Sequence, residues 1–269
     1  MRTIPMRPTP RGFTLFELVV ILALLVALLG LFLPAVQKIR EAAARTKCQN
    51  NMRQITLATI NLADSNNGAL PPAVGDFPDA KANGSLFFHI LPYIEQDNLY
   101  KLAGDDNGDR SPFNNGVCTY VIKTYVCPSD ASGGAAPLYE GWLATGNYAS
   151  NYLLFGLPGA RFPASITDGT SNTIGFCERR QMCNQTPNAW AYSAETDWAP
   201  MFAYSSVAKF QVQPPAIQCN PALAQSSHPG GCPVGMCDGS VRMVHEALTA
   251  TTWHFALTPN GGEVLGSDW

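Results

Sequence analysis

The feature that most constrains this chain is a long apolar segment near its N-terminus. No charged or strongly polar side chain occurs from Leu18 to Leu33, and the apolar segment begins at Phe13 with one carboxylate, Glu17, inside it. About 20 apolar residues in a helix that rises 1.5 Å per residue span the hydrocarbon of a bilayer. The segment 13–34 is therefore predicted to be a transmembrane helix. Because a carboxylate inside lipid costs about 3 kcal/mol, Glu17 requires a functional explanation and a partner.

Two simple interpretations leave part of this segment unexplained. Arg2, Arg7 and Arg11 precede the apolar core, as in a secretory signal peptide, but no clear small-x-small cleavage site directly follows it. The helix-forming pattern also continues well past Pro34. A plain membrane anchor accounts for the length of the segment but gives Glu17 no role.

A third interpretation explains both the length and the carboxylate. The sequence Arg11-Gly12-Phe13-Thr14-Leu15-Phe16-Glu17 resembles the processing site of type IV prepilins and type II secretion pseudopilins. The resemblance implies that a prepilin peptidase removes the leader by cutting after Gly12 and that the new N-terminal Phe13 is methylated. The amine of one subunit and Glu17 of its neighbour would attract strongly at low dielectric and set the axial register. Pro34 matches the position at which this family kinks the helix.

Composition excludes several functional classes. The 269 residues include 17 Lys and Arg against 20 Asp and Glu, a balance that argues against nucleic-acid binding. The sequence has no Gly-x-Ser-x-Gly elbow, His-Glu-x-x-His motif or phosphate-binding glycine-rich loop, so we expect neither an enzyme nor a cofactor. The 23 Gly and 21 Pro residues indicate many turns and short strands.

The pattern predicts an α+β, pilin-like fold. A leader at 1–12 precedes the transmembrane helix, which continues over 35–64 and stops at the Asn-Asn-Gly and Pro-Pro sequences that follow. This long N-terminal helix is expected to pack on an antiparallel β-sheet with long loops, in an exported β-rich domain at 65–269. The predicted strands are 121–126, 147–152, 173–177 and 241–244, and 93–100 is a candidate short helix.

A second resemblance involves the C-terminal region. His228 and the pair Asp238-Gly239 are separated by nine residues, and region 228–239 looks like the H-x9-D-G domain of a large planctomycete-type family with prepilin leaders and unknown function. This resemblance implies a pilin-like anchor with an exported domain, and no known activity. Further segments that resemble the family are Cys48-Gln49-Asn50-Asn51-Met52-Arg53-Gln54, Leu91-Pro92-Tyr93-Ile94-Glu95-Gln96, Cys127-Pro128-Ser129-Asp130, Ile166-Thr167-Asp168-Gly169-Thr170-Ser171-Asn172-Thr173 and Asn260-Gly261-Gly262-Glu263.

Eight cysteines in an exported domain predict disulfides. The candidate pairs are Cys219–Cys232 or Cys232–Cys237, and Cys177–Cys183. His228 with Cys219, Cys232 and Cys237 also offers ligand types that suit zinc, but the chain has no Cys-x-x-Cys pair, and disulfides are favoured over a metal.

The H-x9-D-G motif itself predicts a structural role. We expect His228 to hydrogen-bond Asp238, which would also cap a turn at Gly239 and lock a β-hairpin. Asp130, Asp168 and Asp238 each adjoin turn residues and are weak candidates for calcium, because the alternating spacing of an EF-hand loop is missing.

These observations favour a structural subunit of a type IV pilus-like or type II secretion pseudopilus-like assembly. The expected location is the inner (cytoplasmic) membrane, single-pass, with the C-terminal domain in the periplasm or outside the cell. The expected partners are homo- or hetero-oligomeric pilin-like subunits and the prepilin peptidase. The alternative is a membrane-anchored, exported binding module that recognises a glycan through Trp142, Trp190 or Trp198. An assembling subunit requires Glu17, whereas an anchor does not.

Overall fold

The computed structural model describes residues 12, 14–79, 81–134 and 137–269, without the side chains of 31, 34 and 35. Phe13 and most of the predicted leader lie outside the described residues. The chain divides into two compact units, with the boundary between Ala43 and Ala44. The C-terminal part of the long helix therefore belongs to the globular unit.

The long N-terminal helix is confirmed. Helix α1 is Leu15–Ser65, a single assignment of 51 residues that continues through position 34. It ends where the backbone N–H of Gly68 donates to the carbonyl oxygen of Ala63 at 2.8 Å. Gly68 has a φ of +83°, a left-handed conformation that glycine adopts readily at helix C-termini. The predicted end at Asp64 is correct to within one residue.

The first unit leaves the apolar side chains of α1 exposed. Leu15, Leu24, Leu29 and Leu33 are each at least 60% exposed within it. In the described residues, no helix was found that combines the length and the hydropathy needed to cross a membrane.

The second unit contains short helices and strands joined by long loops. The remaining helices are α2 (Leu86–His89), α3 (Asp97–Leu102), α4 (Tyr152–Phe155) and α5 (Ala250–Leu257). The strands are β1 (Val74–Asp76), β2 (Asn83–Ser85), β3 (Leu138–Tyr139), β4 (Leu143–Ala144), β5 (Tyr148–Asn151), β6 (Ile174–Glu178), β7 (Met182–Cys183), β8 (Thr186–Pro187), β9 (Met201–Phe202), β10 (Gln211–Val212), β11 (Gln225–Ser226), β12 (Gly231–Met236) and β13 (Val241–His245).

The central sheet has the strand order β13-β12-β6-β5-β9. The pairs β13–β12, β12–β6 and β6–β5 are antiparallel, but β9 lies parallel to β5. The fold class α+β is confirmed, and the predicted antiparallel sheet is present as a mixed sheet with one parallel pair at its edge. The parallel pair arises because a long connection, rather than a tight hairpin, returns the chain to the free edge of β5.

Apolar residues cover both faces of this sheet. Met52 and Ile55 of α1 share one hydrophobic cluster with Phe176 of β6. Trp253 of α5 belongs to a second cluster with Val234 of β12. Gly235 lies on the α1 side, where an added Cβ would stand 2.6 Å from Thr56 Oγ1, so the last turns of α1 pack directly on the backbone of β12.

Most of the predicted strands are present, and one is not. The predictions at 147–152, 173–177 and 241–244 correspond to β5, β6 and β13. The predicted strand at 121–126 is wrong, because Lys123–Tyr125 forms a 3₁₀ turn. Tertiary packing overrides the local β propensity there: the Tyr125 side chain is buried and its hydroxyl donates to the carbonyl of Phe87 at 2.7 Å. The short helix predicted over 93–100 begins later, as α3.

Candidate functional site: a buried cluster of cysteine, histidine and glutamate

A disulfide joins the C-terminal part of α1 to a loop of the globular unit. Cys48 and Cys127 are bonded to each other, and both are fully buried. The hydroxyl of Tyr148 donates to the carbonyl of Cys48 at 3.1 Å. The backbone N–H of Cys127 donates to Oδ1 of Asn147 at 2.9 Å. Two consecutive residues of the segment that enters β5 therefore position both ends of the bridge.

A histidine and a glutamate lie beside this bridge. Nε2 of His228 is 3.5 Å from Sγ of Cys127 and 3.6 Å from Oε1 of Glu178. Neither the His228 nor the Glu178 side chain has any exposed surface. Burying such a pair costs several kcal/mol of desolvation unless close contacts and hydrogen bonds compensate.

Hydrogen bonds from the segment before β12 orient the pair. Oε2 of Glu178 accepts from the hydroxyl of Ser226 at 3.1 Å and from the backbone N–H of Ser227 at 3.4 Å. The same Ser226 hydroxyl accepts from the backbone N–H of His228 at 3.1 Å. Glu178 is the last residue of β6, so two elements distant in sequence hold the imidazole and the carboxylate together.

The arrangement has the chemistry of a closed ligand set. One donor atom from each of Cys48, Cys127, Glu178 and His228 can be chosen so that all four lie within 4.8 Å of one another. In the part of the chain that the structure describes, this is the group of three or more His, Cys, Asp or Glu residues whose ligand atoms lie close enough to share one metal ion. Two sulfurs, one imidazole nitrogen and one carboxylate oxygen are ligand types that Zn²⁺ accepts.

The zinc ligands considered from the sequence are not brought together. His228 belongs to the buried cluster, but Cys219 forms a disulfide with Cys183. Cys232 and Cys237 lie near opposite ends of β12, where an extended chain rising about 3.3 Å per residue keeps them apart.

The predicted disulfide pairs are also wrong. The bonds are Cys48–Cys127 and Cys183–Cys219, while Cys177, Cys232 and Cys237 are buried free thiols. A Cys232–Cys237 bridge would require Cα atoms closer than an extended strand allows. A Cys177–Cys183 bridge is excluded because Cys183 pairs with Cys219 instead.

The predicted hydrogen bond between His228 and Asp238 is wrong, because the two residues are separated by an extended strand. His228 precedes β12 and Asp238 follows it, so the two residues flank opposite ends of one strand. Asp238 is exposed, and its Oδ1 accepts from the backbone N–H of Ser240 at 2.8 Å. The expected cap is therefore correct for Asp238 and Gly239, which has a φ of +90° in the turn between β12 and β13.

The Asp238-Gly239 turn also contacts one other family-like segment and helix α1. The backbone N–H of Asp238 donates to the carbonyl of Thr170 at 3.0 Å. A Cβ on Gly239 would lie 2.9 Å from Cδ2 of Leu57 in α1, so the turn is in close contact with the helix. The C-terminal half of the H-x9-D-G motif thus packs on the helix, and its histidine lies in the buried cluster.

The other two calcium candidates accept protein N–H groups. Asp168 accepts from the backbone N–H groups of Gly261 and Gly262 at 2.8 and 2.9 Å. Asp130 accepts from the backbone N–H of Gln181 at 2.8 Å and lies 3.5 Å from Nε of Arg180. Both carboxylates connect loops, and in the described residues neither belongs to the four-residue ligand group.

Glu17 has a local partner at the start of α1. Its Oε2 accepts from the backbone N–H of Thr14 at 2.8 Å and from the Thr14 hydroxyl at 2.9 Å. The N–H of Glu17 donates back to Thr14 Oγ1 at 3.2 Å. This reciprocal arrangement is a capping box, which stabilises a helix N-terminus. The Thr-x-x-Glu spacing was a signal for it in the sequence.

One of the three candidate tryptophans lies in the protein core. Trp190 is buried and its Nε1–H donates to the carbonyl of Tyr120 at 3.0 Å. Trp198 packs against Tyr139, with ring centroids 5.1 Å apart. Trp142 is 41% exposed. Trp190 is therefore a core residue and unavailable for stacking on a sugar.

A protein-family model described as "Protein of unknown function (DUF1559)" matches residues 37–250, well over half of the chain. The chain belongs to this family. Searches of curated proteins and of solved structures find no match. The DUF1559 match includes all four residues of the buried cluster and begins after the prepilin-like segment.

Sequence reasoning missed Glu178 and the Cys48–Cys127 pair in this DUF1559 chain. The cysteines carried a signal in the sequence, because Cys48 and Cys127 each begin one of the family-like segments. This shared position indicates a possible disulfide between them. Glu178 carried a weaker signal, as a carboxylate directly after the apolar run 173–177.

Proposed function

We propose that this DUF1559 chain is a structural subunit of a type IV pilus-like or type II secretion pseudopilus-like assembly. It is processed by prepilin peptidase after Gly12 and N-methylated at Phe13. The proposed place of assembly is the inner membrane, with the globular unit on its outer side, and this location rests on the sequence alone.

The observation that carries the proposal is the exposed apolar part of α1. The residues from Cys48 onward are buried at regular intervals in the globular unit, whereas the described apolar side chains from Leu15 to Leu33, which leave out that of residue 31, remain exposed in the first unit. An apolar helix of this kind favours burial against other apolar surfaces, and copies of the same helix supply them.

Glu17 has two possible roles that predict different mutant phenotypes. A capping role requires only a side-chain oxygen that accepts from Thr14, and glutamine supplies one. A role in pairing with the amine of a neighbouring subunit requires the negative charge. The anchor alternative gives Glu17 no role beyond capping.

The test compares Glu17→Gln, Glu17→Val and Thr14→Val in cells that contain the prepilin peptidase and the assembly machinery. We expect both Glu17 variants to remain associated with the membrane. Their incorporation into sheared filaments, or into ladders of cross-linked subunits, should fall at least tenfold. Thr14→Val removes the hydroxyl contacts but keeps the charge, so its incorporation should remain within about twofold of wild type. Normal incorporation of Glu17→Gln would assign Glu17 to helix capping and contradict assembly through its charge.

A further inference from the structure

The buried cluster of Cys48, Cys127, Glu178 and His228 has a chemical capacity beyond the disulfide. We propose that it is a two-state site: with the disulfide reduced, the four side chains bind one Zn²⁺ ion. This inference is independent of the proposed role in assembly.

The position of the donors is the first argument. The four donor atoms lie within 4.8 Å of one another. Tetrahedral zinc sites have Zn–S distances of about 2.3 Å and Zn–N or Zn–O distances of about 2.0–2.2 Å, so their ligand atoms lie a few ångströms apart. Opening the S–S bond and moving the sulfurs apart by side-chain rotation would bring the set towards this geometry.

The surroundings of the ligands are the second argument. The Glu178 carboxylate accepts from the hydroxyl of Ser226, and this hydroxyl also accepts from the backbone N–H of His228. The first bond is an outer hydrogen bond of the kind that orients carboxylate ligands in metal sites, and the second fixes the backbone that carries the imidazole. A disulfide by itself needs no ionisable neighbours, so the bridge does not account for a fully buried His–Glu pair beside it.

The other disulfide differs from the Cys48–Cys127 bond in its surroundings. Cys183 and Cys219 form a disulfide of the same chain. In the described residues, no metal-ligating group includes that pair. The proposed capacity therefore belongs to the site at Cys48 and not to disulfides in general.

The change from disulfide to zinc site is a reduction followed by metal binding. A dithiol reductant transfers two electrons and two protons to the Cys48–Cys127 bond, which breaks to give two thiols while the reductant becomes a disulfide. Binding of Zn²⁺ then releases the two thiol protons and forms two Zn–S bonds, one Zn–N bond to His228 and one Zn–O bond to Glu178. Thiol–disulfide exchange with an oxidising disulfide would re-form the Cys48–Cys127 bond, reduce that disulfide to two thiols and release the ion. The disulfide and the bound metal therefore exclude each other.

The experiment uses the full chain in detergent, reduced with a dithiol, freed of metal and then titrated with Zn²⁺ or Co²⁺. We expect one Zn²⁺ per chain by native mass spectrometry, and a thiolate-to-cobalt charge-transfer band with the ligand-field bands of a tetrahedral site. Cys183→Ser/Cys219→Ser is the matched control and should bind zinc within about twofold of wild type. Cys48→Ser/Cys127→Ser should lose binding. Glu178→Gln should weaken the affinity by at least about tenfold, a magnitude typical of perturbed zinc sites.

A measurement on the wild-type chain keeps the test independent of variant folding. Alkylation of the reduced protein, mapped by peptide mass spectrometry, should slow at least tenfold at Cys48 and Cys127 when zinc is present. The rates at Cys183 and Cys219 should change by less than twofold. Absence of zinc binding by reduced chain that circular dichroism shows to be folded would overturn the proposal. Equal zinc protection of all four cysteines would overturn it as well.

Discussion

Glu178 and His228 lie against each other in the protein interior, with Oε1 of the glutamate 3.6 Å from Nε2 of the histidine. The pair connects β6 to the segment before β12 and lies beside the disulfide between Cys48 and Cys127. Residues from α1, from β6 and from two loop segments therefore meet at one buried point. We expect the stability of the globular unit to depend on this point more than on its other covalent link.

The two disulfides should differ in their contribution to stability. The Cys48–Cys127 bond closes a sequence separation of 79 residues and the Cys183–Cys219 bond one of 36. Loop-closure entropy alone predicts that removing them costs about 4.5 and about 3.8 kcal/mol, respectively. The gap in unfolding free energy between Cys48→Ser/Cys127→Ser and Cys183→Ser/Cys219→Ser should exceed the difference between these two values, because the first variant also removes packing around the buried His228–Glu178 pair. Urea unfolding with a chelator present measures both values, and a smaller loss for the Cys48 pair would contradict the account.

The contact between α1 and the sheet should be sensitive to a single methyl group. In Gly235→Ala, the new Cβ would stand 2.6 Å from Thr56 Oγ1 and 3.1 Å from Met52 Cγ. We expect a loss of about 1–3 kcal/mol in the free energy of unfolding, since overpacking forces side chains from their preferred rotamers. Adding Thr56→Ala removes the closest atom and should recover part of the loss. If the double variant is as unstable as the sum of the two single variants, the packing described here is incorrect.

The loop contact made by Asp168 should be measurable. Asp168→Ala removes an acceptor for the N–H groups of Gly261 and Gly262. Hydrogen bonds to a charged acceptor contribute about 1.5–3 kcal/mol each when buried, and this carboxylate is half-buried, so we expect a total loss of about 1–2 kcal/mol. The exposed Asp106 offers a matched control, for which Asp106→Ala should change stability by less than about 0.5 kcal/mol. Faster amide exchange at Gly261 and Gly262 in Asp168→Ala would support the contact; unchanged exchange would argue against it.

His89 should make the globular unit sensitive to acid. Burial lowers the pKa of His89 from 6.5 to about 4, despite its contact with the carbonyl oxygen of Gly75 at 3.0 Å. Between pH 6.5 and pH 4, the unfolded chain therefore binds a proton at His89 that the folded chain does not bind. The contribution of neutral His89 to the free energy of unfolding is complete above pH 6.5 and is lost as the pH falls towards 4. The shift corresponds to about 3 kcal/mol.

The variant His89→Gln isolates this contribution. Its free energy of unfolding should fall less than that of wild type between pH 7 and pH 4, by about the same 3 kcal/mol. Urea unfolding at the two pH values gives the comparison. Parallel losses in the two proteins would show that His89 is not the titrating group.

The parts of the fold with local signals could be predicted from the sequence. Helix α1, strands β5, β6 and β13 and the turn at Asp238-Gly239 follow from hydrophobic pattern and turn chemistry. The buried cluster could not be predicted in the same way, because Cys48, Cys127, Glu178 and His228 are brought together by tertiary packing over long sequence separations. The wrong disulfide pairs and the wrong His228–Asp238 bond share one error: both treated nearness in sequence as nearness in space, although an extended strand separates its two ends.

The central claim is that the chain is cut after Gly12, so that Phe13 supplies the amine for assembly. Intact-mass measurement of the native, unreduced protein from cells with an active prepilin peptidase tests this most directly. The account predicts a mass that lacks residues 1–12 and carries one added methyl group on Phe13. A mass that still includes residues 1–12 would contradict the account.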